Sequence, residues 1–180
     1  MKQLAKFGFV LGTTCLAATL VLAFTYQMTK PRIEEQARLE EEAALKSILP
    51  QAETFTKKEI AGLTYYDAAR SGRTIGYCVK VIANGYGGYI YMMVGIDTSG
   101  RIEGLRVLQQ QETPGLGAKI TEIKPGEKEP YFLAQFRAQE ASGLELKKNI
   151  DAITGATISS KAVVDGVRET VEKFLAEIKK

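Results

Sequence analysis

The chain reads as an α+β protein, a mainly antiparallel sheet flanked by helices, with one N-terminal transmembrane helix. Three stretches carry that reading. Residues 7–29 contain no charged side chain, residues 74–109 hold three runs rich in Val, Ile and Tyr between turn signals, and residues 158–178 carry an apolar stripe at helical spacing. At 180 residues there is room for one domain with a real core plus appendages, and not for two full domains.

Composition removes several function classes. The chain has no His and no Trp, so a His-based metal site, a Ser-His-Asp triad and a Cys-His dyad are excluded. The net charge is +3, and Lys2 and Lys6 are the only charges before Lys30. The remainder is therefore nearly neutral and lacks the basic balance of a nucleic-acid surface. Cys15 falls in the apolar run and Cys78 in a predicted strand, which gives neither a disulfide nor a metal signature. Internal repeats and low-complexity tracts are absent.

In chain order, residues 1–6 form a short tail and residues 7–29 a span. About 20 helical residues rising roughly 1.5 Å each cross a hydrocarbon core. Lys2 and Lys6 precede the span, Lys30 and Arg32 follow it, and Phe24 and Tyr26 suit one interface. A cleaved signal peptide ending at Val21-Leu22-Ala23 is the competing reading, but the apolar run exceeds the roughly 7 to 15 residues of a signal core. Leu11-Gly12-Thr13-Thr14 has no small Gly or Ala just before Cys15, which argues against a lipoprotein site. Basic residues at both ends leave orientation open.

Residues 30–55 are read as a stalk helix and linker. Ile33 to Leu49 has only a thin apolar stripe (Ile33, Ala37, Ala44, Leu45, Ile48, Leu49) and stops at Pro50, so a solvated stalk is expected. Its Glu run reads as an exposed face and not as a cation site. Residues 56–180 form the domain. Residues 51–70 have no decisive pattern beyond leading into the sheet, and Ile75–Ala83, Tyr89–Ile96 and Ile102–Leu108 form a three-strand meander. The loop Asn84-Gly85-Tyr86-Gly87-Gly88 is either a simple hairpin or a place where Gly87 and Gly88 bring backbone close to a ring system. No Gly-x-Gly-x-x-Gly stands between a strand and a helix, so a Rossmann site is not supported. Pro114 with Gly115 and Gly117 then makes a loop whose backbone polar groups remain free for a planar, polar-edged partner. Pro125 to Pro130 is a turn-rich link, and Tyr131 to Phe136 begins a short helix whose Tyr131, Phe132 and Phe136 are read as core. Leu144–Lys147 is expected to be a short strand.

The last helix has apolar residues at Ile158, Ala162, Val163, Val167, Val171, Phe174, Leu175 and Ile178. Charges from Lys161 to Lys180 mostly take the other face, and the cationic end suits the negative pole of the dipole. Thr157 thus sits at or just before a helix N-terminus, where unpaired amides and the dipole favour an anion without any basic side chain. Gly155 and Ala156 add almost no bulk there. The plainer alternative makes Thr157 or Ser159 an N-cap.

Asp151-Ala152-Ile153-Thr154-Gly155-Ala156-Thr157 resembles the recognition sequence of flavin transferases, which join FMN through its phosphate to the last Thr hydroxyl of the motif. Asp151, Thr154, Gly155, Ala156 and Thr157 match every motif position. A second block, Glu112 to Ile120, is similar to the other signature of the FMN-binding domain in the G subunit of the Rnf ion-translocating ferredoxin:NAD oxidoreductase. The resemblance extends over most of the chain, with the stalk its least specific part. The C subunit of the sodium-pumping NADH:quinone reductase shares the attachment motif and is the nearest confusable relative.

The resemblance implies FMN bound covalently as a phosphoester of Thr157, with Glu112, Thr113, Gly115, Leu116 and Gly117 as the flavin loop. Leu116 is the candidate apolar cover, and Thr113 with the loop amides the candidate partner of the pyrimidine edge. Glu112 has an equally good structural alternative, capping Lys119 or a local amide. Many family members carry a His shortly before this Glu; here Gln109 to Gln111 stand in that place, so no role of that His carries over. Also implied are an electron-carrying subunit that couples ferredoxin:NAD electron transfer to Na⁺ or H⁺ transport, no catalytic side chain and no metal. Its partners would be the other membrane and peripheral subunits, a flavin transferase for maturation and the lipid bilayer, with no nucleic acid. The implied placement is single-pass in the inner membrane, N-terminus cytoplasmic and main domain on the outer, periplasmic face. The alternatives are the C subunit of the quinone reductase and a non-catalytic membrane-tethered binding or assembly module in which Thr157 is only a cap.

Overall fold

The computed structural model describes residues 2–178; Lys179 and Lys180, the expected cationic end of the last helix, lie outside the described residues. The chain forms two compact units, one ending at Glu41 and one beginning at Glu42. The first unit is helical throughout its described residues, as part of a helix α1 over Lys2–Ile48. It holds a segment long and apolar enough to cross a membrane, with side chains such as Phe7, Leu16, Leu22 and Phe24 exposed. Thr13, Thr14, Thr19, Thr25 and Thr29 turn their hydroxyls back onto carbonyls three or four residues earlier. Polar groups on an apolar helix are thus satisfied by the helix itself, as a lipid environment demands.

The second unit opens with the last two turns of α1; the expectation of a solvated stalk holds for residues 31–40, which are exposed, and is corrected for residues 44–49. Ala44, Leu45, Ile48 and Leu49 are buried against Ala68, Cys78 and Met93. Glycines make the close approach possible: a Cβ added at Gly95 would overlap Ile48, and one at Gly104 would touch it. The stripe is thin because it serves fewer than two turns of contact.

Five antiparallel strands follow in simple order: β1 (Thr54–Ile60), β2 (Leu63–Arg70), β3 (Arg73–Asn84), β4 (Tyr89–Asp97) and β5 (Ile102–Gln109). The meander read from the sequence is β3 to β5. The sequence does not determine β1, an edge strand with Lys57, Lys58 and Glu59 exposed and little alternation to display, or β2, which buries only Tyr65 and Ala68, three residues apart. The β1–β2 turn at Ala61-Gly62 and the β2–β3 turn at Ser71-Gly72 have positive φ at both residues, the backbone hand that two-residue hairpins need.

One face of the sheet receives the tip of α1 and the other receives α3 (Thr157–Ile178). Val163, Val164, Val167, Val171 and Phe174 pack on Val79, Val81, Ala83, Met92 and Val94. The Phe174 ring lies 4.9 Å from that of Tyr65 and 5.4 Å from that of Tyr77. A four-residue helix α2 (Tyr131–Ala134) brings Phe132 and Phe136 into the same core, rings 5.7 Å apart, as expected of core aromatics. Tyr131 is only half-buried and lies under the Lys124 ammonium.

The short strand expected at Leu144–Lys147 is absent; only a single bridge joins Leu146 to Ile150. Asn149 closes this segment into a loop by donating to the Gly143 carbonyl and accepting from the Glu145 amide, and Lys147 takes a positive φ of 69°.

Two local features give direct tests. Burial pushes the Cys78 thiol up to about 12, so it should resist iodoacetamide near pH 8 in the native protein and react on unfolding. Fast native labelling would show that the face under α1 opens. In the β4–β5 turn, Asp97 Oδ1 accepts from the Ser99 amide at 2.8 Å, the Ser99 hydroxyl at 2.7 Å and the Arg101 amide at 2.9 Å. Burial raises the Asp97 carboxyl, but these bonds outweigh it and hold the group below its ordinary value. Its stabilisation is therefore complete above the unfolded-state value and is lost as pH falls through the lower folded-state one. Asp97→Ala is expected to cost about 1 to 2 kcal/mol in urea melts at neutral pH, and less as the acid limb is approached.

Candidate functional site

Three segments separated in sequence meet beside the start of α3. They are the glycine loop between β3 and β4, the loop after β5, and the turn from Asp151 to Thr157.

The turn is held from beneath. Ile153 and Ala156 are buried, while Asp151, Thr154, Gly155 and Thr157 are exposed. The Ala156 amide bonds the Ile153 carbonyl at 2.9 Å, and Gly155 has φ 80°, which a side chain would strain. Ser160 locks this turn to the helix, its hydroxyl accepting from the Ile153 amide at 3.0 Å and donating to the Ala156 carbonyl at 2.9 Å. Gln135 holds the other end: its side-chain oxygen accepts from the Asp151 amide at 2.7 Å and its nitrogen donates to the Asp151 carbonyl at 3.4 Å. Sequence reasoning missed both roles. Ser160 had a faint signal, a hydroxyl four residues after the residue preceding a helix; Gln135 had none, since its contact joins two irregular segments.

Thr157 is the first residue of α3, and Ala156 before it has no side-chain acceptor. No side-chain cap bonds the first-turn amides among the described residues, and they stand at the positive end of the dipole. Ser159 does not turn back as a cap either, because it donates its hydroxyl inward to Glu112. The Thr157 hydroxyl is exposed and makes no hydrogen bond among the described residues.

Glu112 is buried at 5% exposure. Its Oε1 accepts from the Gly87 amide at 2.9 Å and its Oε2 from the Ser159 hydroxyl. Neither structural role expected for it, capping Lys119 or a local amide, is the one formed: its amide partner lies 25 residues away on the glycine loop. Glycines make room: a Cβ at Gly85 would overlap Glu112 Oε1, one at Gly117 would overlap Oε2 and Ser159 Oγ, and one at Gly87 would overlap the Gln111 carbonyl. The first loop is thus a hairpin, closed by the Gly85 amide on the Gly88 carbonyl at 2.8 Å, and also a backbone donor to the site.

The flavin-loop residues Thr113, Gly115 and Leu116 are exposed, and Gly117 is buried beneath them. The Thr113 carbonyl accepts from the amides of Leu116 and Ala118, which fixes the loop's curl. Leu116, 47% exposed, reaches over Gly155, its Cδ2 3.2 Å from where a Cβ would stand, and so joins the two sequence signatures physically. Ile158 departs from expectation. The stripe read from the sequence placed it on the buried face, but it is 57% exposed and the buried face starts at Ser159 and Ser160. Two polar residues hold the first buried turn because their hydroxyls have partners inside, and this rotates Ile158 outward beside Thr157.

The arrangement offers an anion site without a basic side chain, a free hydroxyl at its edge, a bulk-free turn, two exposed apolar side chains and a polar loop. A phosphate-tethered aromatic group fits it. Among the described residues no group of His, Cys, Asp or Glu could hold a metal ion.

The chain matches the FMN-binding domain family over residues 85–172 and the RnfG N-terminal region over residues 1–48. It is 32% identical to the G subunit of the proton-translocating ferredoxin:NAD(+) oxidoreductase complex of Clostridium ljungdahlii, over 91% of this chain and 87% of the relative. It is 34% identical to the G subunit of the ion-translocating oxidoreductase complex of Methanosarcina acetivorans, over 98% and 97%. Against the G subunit of the Na(+)-translocating ferredoxin:NAD(+) oxidoreductase complex of Acetobacterium woodii it is 30% identical over 96% and 92%. Among solved structures it is similar to the C subunit of the Na(+)-translocating NADH-quinone reductase of Parabacteroides distasonis, with TM-score 0.51, 25% identity and coverage of 63% of this chain and 61% of that one. Shewanella oneidensis NqrC shares the fold at TM-score 0.50 and 21% identity, over 71% and 70%.

Proposed function

The chain belongs to the G-subunit family of the ion-translocating ferredoxin:NAD(+) oxidoreductase complexes, and from that premise we propose that it carries FMN as a phosphoester on Thr157. It serves such a complex as a membrane-anchored electron carrier, coupling ferredoxin:NAD electron transfer to Na⁺ or H⁺ transport. The observation that carries the attachment is the exposed, unbonded Thr157 hydroxyl on the first residue of an uncapped helix. Bound FMN supplies reversible electron transfer, which side chains alone do not.

The chain's own residues hold and shield. First-turn amides of α3 would hold the phosphate. Gly155 and Ala156 keep the approach clear. Leu116 and Ile158 give apolar cover, and Thr113 with the loop amides offers polar partners to the ring edge. Asp151 and Thr154, exposed on the same turn, are available to a flavin transferase. No side chain is required as acid or base. Residues 7–29 lie in the bilayer of the inner membrane, with the N-terminus cytoplasmic, the main domain on the outer face and the complex's other subunits as partners. The C subunit of the quinone reductase shares the fold, but the match of residues 1–48 to the RnfG N-terminal region favours the first reading.

Mass spectrometry of protein from a host containing the flavin transferase tests this. The peptide spanning Thr157 should gain the mass of one FMN less one water. A peptide weighing only its amino acids overturns the carrier reading, and an adduct on Thr154 moves the site.

A further inference from the structure

A phosphoester fixes where a flavin is attached but not how its ring lies, because the phosphate and ribityl chain between them contain several freely rotating bonds. Something else must hold the ring-facing loops at a set distance from the attachment point. The only buried polar or charged side chains among the described residues are Glu112, Ser159 and Ser160, and the first two bond each other.

We propose that Glu112 and Ser159 act together as positioning residues for the attached flavin: one buried carboxylate fastens the glycine loop, the flavin loop and the first turn of α3 into a single unit. The proposal rests on attachment at Thr157. Ser159 lies two residues beyond Thr157 and faces inward while Thr157 faces out. Its bond to Glu112 Oε2 sets the root of the flavin loop relative to the tether. The bond from the Gly87 amide to Oε1 sets the glycine loop relative to both. Gly85 and Gly117 leave the carboxylate its space, and a Cβ at either would collide with it. Leu116 on Gly155 is a second, apolar contact between the loop and the turn. A carboxylate suits this task because charge-assisted bonds are shorter and about twice as strong as neutral ones. A buried carboxylate also has a strong penalty for losing either partner, which makes the junction stiff. Both oxygens are used, so neither bond can be lost without leaving the other partner out of register.

The test uses full-length protein in detergent micelles, expressed with the flavin transferase, and compares wild type with Ser159→Ala, Glu112→Ala and Glu112→Gln. Peptide mass reports attachment, while visible circular dichroism and flavin fluorescence anisotropy report how firmly the ring is held. Ser159→Ala should keep the adduct yet lose about half or more of the visible dichroism and anisotropy, on the loss of one charge-assisted bond. Glu112→Ala should lose more. Glu112→Gln should recover most of the signal, since its oxygen can accept from the Gly87 amide and its nitrogen can donate to Ser159. Wild-type dichroism and anisotropy in both alanine variants would overturn the proposal.

Hydrogen exchange at the Gly87 amide in the flavin-free Thr157→Ala chain separates this from the attachment reading. That amide should be protected, and adding Ser159→Ala should speed its exchange by about tenfold. Unchanged exchange overturns the clamp whether or not flavin is attached. A wild-type protein without the adduct would instead overturn the attachment.

Discussion

Thr157→Ala is expected to abolish covalent flavin completely while leaving the fold intact. The Thr157 hydroxyl is the group to be esterified, and alanine has no atom to take its place. The neighbouring hydroxyls are not substitutes: Ser159 and Ser160 are buried and already bonded inward, and Thr154 lies within the turn, three residues before the helix starts. Stability should stay within about 0.5 kcal/mol of wild type, because the side chain is exposed and unbonded and alanine is a better helix former. The checks are the mass of the peptide across residue 157, the visible absorption of the purified protein and its thermal melt. Electron transfer through a complex rebuilt with this variant should fall to background. A yellow protein with the adduct elsewhere would reject Thr157 as the tether.

Phe174→Ala is expected to have the largest effect on stability, about 3 to 5 kcal/mol. The ring is fully buried near the C-terminal end of α3 and packs against Tyr65 of β2 and Tyr77 of β3. Truncation would leave a cavity between two strands and a helix that cannot easily collapse, since the facing tyrosines are themselves fixed in the sheet. Against a typical net stability of about 5 to 15 kcal/mol that is a large share, and the urea midpoint of the full-length protein in micelles should fall accordingly. Phe174 lies more than four helical turns from Thr157, so the variant that remains folded should still accept flavin. A melt unchanged within about 1 kcal/mol would mean that α3 is held mainly at its other end.

The meander was legible because β3 to β5 are rich in Val, Ile and Tyr and end in Gly-containing turns. β1 was not, because an edge strand carrying Lys57, Lys58 and Glu59 has no buried alternation to reveal, and β2, inside the sheet, was not because it buries only Tyr65 and Ala68, three residues apart. The tip of α1 was misread for a related reason. Four apolar residues within six look like a weak stripe, and only the presence of Gly95 and Gly104 opposite them turns it into an interface. At the site, the attachment turn and the flavin loop could each be read as a motif, but Gln135 could not, because its partner is a backbone group 16 residues away with no patterned spacing.

Thus the sequence by itself determined the apolar span, the three central strands, the last helix and the residue at its start, since periodicity and local turn chemistry are properties of neighbouring residues. Only the tertiary structure decided that Glu112 reaches Gly87 and Ser159, that Leu116 lies on Gly155, and that Ile158 points outward. Those outcomes depend on which side of a helix finds partners in segments 25 to 47 residues away, and no local pattern records that.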